Sequence, residues 1–121
     1  MISILLCEEV RNEMSGTRTL VGVFGPSGLK VKTLPFLLPK FAMFVTSDLK
    51  EGFDFSFEIL DPKGVLMMKG EMPKVADKST GVHFGINFSP MVFKEFGKHE
   101  FKVFRNDGVG GKTDLEIIQG E

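Results

Sequence analysis

The chain has 121 residues and a formal net charge of −1 from 15 basic and 16 acidic side chains, with 13 Phe, no Trp or Tyr, 7 Met and one Cys. This length suits a single domain over residues 1–121 with its own core. The charge is balanced, and no basic block or amphipathic segment is present, so neither nucleic-acid binding nor a membrane surface is expected.

"ISILLCEEV" at 2–10 opens the chain. An apolar run ending in Cys7 has the outline of a lipoprotein signal, but the run is short and no Lys or Arg precedes Arg11. A signal peptide needs both a charged start and a longer apolar stretch. The segment therefore reads as a strand of the folded domain, and the expected location is the cytoplasm. A lone Cys agrees, because it can form no intrachain disulfide. Glu8 and Glu9 would raise the thiol pKa of Cys7, so a small buried hydrophobe is favoured over a nucleophile.

A turn at "NEMSG" leads into "TRTLVGVFG", a second strand. "LKVKTL" is a short strand closed by Pro35, and "KFAMFVTSD" is one preceded by Pro39. In "FDFSFEIL", Phe53, Phe55, Phe57 and Ile59 share one face, the two-residue rhythm of a half-buried strand. "DPKG" follows, where Asp61, Pro62 and Gly64 have the residue types of a tight turn. "VLMMKGEM" is then the return strand of a hairpin. "GVHFGINFS" alternates Val82, Phe84, Ile86 and Phe88 against His83, Gly85 and Asn87.

"SPMVFKEFG" breaks the alternation. Ser89 has the chemistry of an N-cap, Pro90 fits a first helical position, and Gly97 suits a left-handed C-cap. One short helix over about residues 90–96 is expected, lying over an open end of the fold. "HEFKVFRN" and "KTDLEIIQ" then bracket "NDGVGGKTD". Gly111, Lys112 and Thr113 supply half of a phosphate-binding P-loop, but its first glycine would fall at Asn106. A P-loop also needs a helix behind it, and "DLEIIQGE" alternates like a strand. This segment is a hairpin loop and not a nucleotide site.

Short strands at a spacing of about 8–12 residues, with turn residues between them, define an all-β antiparallel β-sandwich of about 8–9 strands. The stretches "LLCEEVR" (5–11), "LVGVFG" (20–25), Leu-Pro at 34–35 and 38–39, "FEILDPKG" (57–64) and "FGKHEFKVF" (96–104) carry a resemblance. In their order the chain resembles an uncharacterised bacterial and phage-associated family of short β-sandwich proteins, a domain of unknown function. Where such relatives carry an aromatic after Gly-x, this chain has His99. The resemblance implies a fold and transfers no activity or functional residue.

Candidate chemistry is sparse. His83 and His99, the only histidines, have no metal-ligand spacing and read as surface or satisfied side chains. A Cys7 dyad with either would lack an orienting group. Asp48, Asp54, Asp61, Asp77, Asp107 and Asp114 sit in or near turns without the dense pattern of a calcium loop, so no metal or other cofactor is expected. The informative feature is where alternation fails. In "KFAMFV", Ala42 and Phe44 are apolar on the face opposite Phe41, Met43 and Val45, and "VLMM", with Met67, is apolar on both sides.

Something must cover that second face: the helix, a loop or another subunit. Ala42, Phe44 and Met67 are accordingly candidate interface residues for a homodimer or a protein partner. The leading expectation is a non-enzymatic interaction or structural module. The alternatives are a small-ligand-binding sandwich, recognised by a Phe- and Met-lined pocket with a few inward polar groups, and a Cys/His hydrolase-type enzyme, recognised by Cys7 clustering with a histidine.

Overall fold

The computed structural model describes residues 2–25, 27–47, 54–72, 82–88 and 90–120, with the backbone alone at 72 and 82–84. Eleven strands occur among them: β1 (Ile2–Asn12), β2 (Arg18–Val23), β3 (Leu29–Val31), β4 (Phe36–Leu38), β5 (Phe41–Ser47), β6 (Phe55–Leu60), β7 (Leu66–Met72), β8 (Val82–Phe88), β9 (Met91–Phe93), β10 (Gly97–Arg105) and β11 (Gly110–Gln119). One sheet has the order β2-β1-β5-β8 and the other β3-β11-β10-β6-β7, with β4 and β9 forming a small third sheet. All pairs are antiparallel except β3 with β11. The all-β sandwich read from the sequence is the observed class.

The alternation does what it promised. Phe55, Phe57 and Ile59 of β6, His99, Phe101 and Val103 of β10, and Leu115 and Ile117 of β11 are buried. Across from them lie Ile2, Ile4 and Leu6 of β1 and Phe41, Met43 and Val45 of β5, in one core cluster shared by both sheets. Phe41 is its hub, with ring centroids 5.4 Å from Phe101, 5.8 Å from Phe24 and 6.1 Å from both Phe88 and Phe93. Phe53 lies outside the described residues.

The turns follow their residue types. Asp61 Oδ1 accepts the amides of Lys63 and Val65, both at 2.9 Å, and Gly64 takes φ +80°. Between β10 and β11, the Arg105 guanidinium grips Asp107 at 2.7 and 2.8 Å and donates to Ser47 Oγ at 3.1 Å. That guanidinium holds the Asp107 carboxyl below the usual carboxylate range. Lys112 and Thr113 lie in β11 opposite Lys102 and Phe101, so the Gly-Lys-Thr is ladder, not loop. A Cβ on Gly111 would stand 2.6 Å from the Ile2 carbonyl oxygen, so this glycine lets the two sheets approach.

The expected helix over residues 90–96 is not formed. Met91, Val92 and Phe93 are strand β9, paired with Phe36, Leu37 and Leu38, and no described residue is helical. Met91 and Phe93 are buried and Val92 less so, a period of two. Burying two large side chains against the core and pairing the backbone of β4 outweighs capping signals worth about 1 kcal/mol. The proposed N-cap, Ser89, lies outside the described residues. β4 and β9 are also the two strands beyond the expected count of about nine.

Candidate functional site

Cys7 and the second face of β5, both marked out by the sequence, meet in one place. After Leu6, β1 changes its allegiance: Cys7 and Val10 join a satellite cluster with Ala42, flanked by Leu20 and Phe44. Val10 lies against Gly85 of β8, where a Cβ would meet its side chain at 2.6 Å, and its amide donates to Asn87 Oδ1 at 3.3 Å. Asn87 and Gly85 pair with Ala42 and Phe44. The distal half of β1, carrying β2 with it, thus lies over the outer face of its own sheet. Ala42 is fully buried by the chain itself and presents no surface to a partner. Phe44 is half-buried on the same cluster.

Cys7 is sealed in that cluster, its thiol donating to the Glu9 carbonyl at 3.5 Å. Burial, and then the Glu8 carboxylate, push its pKa above the ordinary thiol value. The register places Cys7 in line with Asn87 and His83 opposite Thr46. That is four residues and two strands away, roughly 16 Å. His99 belongs to the core face of the other sheet. No Cys–His dyad is assembled.

The chemistry gathers elsewhere, in a cleft of about 570 Å³ lined by Asp61, Leu66, Met67 and Met68 of the β6–β7 hairpin, by Pro90, Met91, Val92, Lys94 and Glu95, and by His99. Two turns close one side of it. Gly97, at φ +124°, brings its backbone so near Pro62 that a Cβ would stand 2.9 Å away, and Lys63 Nζ reaches Glu95 Oε1 at 3.2 Å. Met67 enters because β7 slips register at this point: Ile59 faces Met68 while Leu60 faces Leu66. Met67 is the extra residue of this bulge, and bulges re-aim side chains. That accounts for the doubly apolar "VLMM". Met67 packs partly on the main core, and Leu66 and Met68 are exposed along with nearby Val65 and Phe96.

His99 is fully buried, not a surface side chain. Its ring stands edge-on to Phe93 with centroids 5.0 Å apart. Nδ1 lies 3.1 Å from the Gly97 carbonyl oxygen. A carbonyl only accepts, so Nδ1 carries the proton and neutral His99 presents a lone pair at Nε2. That atom and Glu95 Oε2 are buried without a hydrogen-bond partner. Burial pushes the His99 pKa below its ordinary value, while the Gly97 carbonyl, the charges of Asp61 and Glu95, and the nearby Leu115 carbonyl, which makes no hydrogen bond of good geometry to Nε2, pull the other way. Glu95 carries no site signal in the sequence, and Asp61 reads there as a turn residue set aside as a calcium ligand. The period-two run His99, Phe101, Val103 was the available signal for His99.

Among the described residues no group of three His, Cys, Asp or Glu side chains could hold a metal ion, and no described helix is long and apolar enough to cross a membrane. Asp48 and Asp77 lie outside the described residues. The fold and the cleft define a small, mainly antiparallel β-sandwich with a recessed, methionine-walled site among the described residues. The family of unknown function DUF6941 matches residues 2–118, and the chain belongs to it. No curated protein and no solved structure is significantly similar to the chain.

Proposed function

We propose that this domain is a non-catalytic binding module that takes a small ligand in the cleft between β7, β9 and β10. One observation carries the reading: a recess of about 570 Å³, walled in large part by Leu66, three methionines and Val92, whose lining includes two residues with buried, unpartnered polar atoms. Ligand sites have this size and this make-up, apolar walls with a few placed polar groups. Buried polar atoms otherwise find partners, because leaving one unmade costs about 1–3 kcal/mol. A free, buried Cys7 accords with action in the cytoplasm.

A fragment screen read by methyl NMR of ¹³C-methionine-labelled protein tests the proposal. Ligands should move the Met67, Met68 and Met91 methyls and leave Met43, in the core, unmoved. Hits that shift only other methyls would refute it.

A second reading, self-association, keeps one specific support. Leu5, opposite Phe44, and Val23, opposite Cys7, remain exposed on the outer face of the first sheet. If that patch pairs two copies, Leu5→Glu will convert a dimer to a monomer in light scattering. A wild-type monomer at high concentration rules the reading out.

A further inference from the structure

The two unpartnered atoms in the cleft are of one kind, and this restricts the ligand. His99 Nε2 holds a lone pair, because Nδ1 donates to the Gly97 carbonyl, and Glu95 Oε2 is a carboxylate oxygen. Both accept and neither donates. Lys63 engages Glu95 through Oε1 and is largely exposed, with 76 % of its side chain accessible. It therefore engages Glu95 at Oε1 from the solvent side and leaves the buried Oε2 without a partner. Lys94, the cation on the lining itself, is exposed. An anion in the recess would meet an anionic oxygen and a lone pair. A donor would complete both.

The body of the recess is apolar, formed by Leu66, Met67, Met68, Met91 and Val92. We propose that the cleft is specific for a small organic cation, a primary ammonium group on an aliphatic body, whose N–H groups donate to Glu95 Oε2 and His99 Nε2 while its carbon chain lies along the methionines. This rests on the cleft being the binding site. Both acceptor atoms are cut off from solvent, so the wall must yield to admit the donor. Methionine side chains, unbranched and with three rotatable bonds, supply such a wall.

The test compares hexylammonium, hexanol and hexanoate on the labelled protein, reading the Met67, Met68 and Met91 methyls together with calorimetric affinity. Hexylammonium is expected to bind at least about tenfold more tightly than hexanoate, since a hydrogen bond to a charged group is worth that much. Glu95→Gln, on an accessible turn, should erase most of this preference and weaken hexanol, a neutral donor, by far less. His99→Gln should weaken the ammonium selectively as well, but it changes the core and is secondary. Equal binding of hexanol or hexanoate would overturn the cation specificity and leave the cleft as a site. Ammonium binding insensitive to Glu95→Gln would overturn it too. Failure of all three probes to move the methyls at millimolar concentration would count against the cleft itself.

Discussion

Gly111 and His99 show how much can rest on one side chain, or on its absence. Gly111 belongs to a run that mimics a phosphate loop, yet its role is to admit the Ile2 carbonyl. Gly111→Ala should lower stability by roughly 1–3 kcal/mol, because backbone oxygen cannot step aside as a side chain can. Gly110→Ala, where the nearest atom stands 3.5 Å away, should cost far less. Urea midpoints of the two variants make the comparison. His99 predicts a pH dependence. Its folded pKa lies below the ordinary 6.5 because burial favours the neutral ring, over the opposing pull of Asp61 and Glu95. Below pH 6.5 the unfolded chain takes up a proton that the folded chain resists. Stability is therefore complete above that pH and declines as pH falls through it toward the folded pKa. Urea midpoints should fall between pH 7.5 and 5.5, and His99→Phe should flatten its share of that fall whatever its effect at neutral pH.

At the level of elements, the hairpin of β1 and β2 is where expectation and structure part most instructively. Apolar residues on both faces of β5 required a cover, and the sequence named the right positions. It could not say that the cover is the far end of β1, since that needs β1 to change faces between Leu6 and Val10 and needs a missing side chain at Gly85. Non-local fit of this kind leaves no periodic trace. Cys7 reports on it. In native protein the thiol should react with a disulfide reagent only as fast as the β1–β2 arm lifts, and Val10→Ala should speed that reaction by loosening the arm. Rapid modification of the wild type would contradict the burial. The same limit explains β9: Ser, Pro and Gly at suitable spacing are local cues, whereas the partner that claimed the segment, Phe36–Leu38, lies more than fifty positions earlier. The strands themselves were legible, because a period of two is local. The cleft was not, because it is built from a bulge at Met67, a buried His99 and two turns that meet only in the fold.

Across the molecule as a whole, one core draws on both principal sheets, and most ladders join strands distant in sequence: β1 with β5, β6 with β10, β3 with β11. The chain should therefore unfold in a single transition, with circular dichroism and the methionine methyl signals coinciding. Such long-range pairing sets folding in the millisecond-to-second range, measurable by stopped-flow circular dichroism because no Trp or Tyr is present. Two separate transitions would mean that the sheets are independent units. The contact of Gly97 with Pro62 carries this unity to the mouth of the recess. There the gap between the β6–β7 hairpin tip and the β9–β10 turn is governed by a hydrogen atom where every other amino acid places carbon. A rigid spacer of that kind would turn small adjustments in sheet packing into changes of aperture, making admission a property of the entire scaffold and not of a hinged flap.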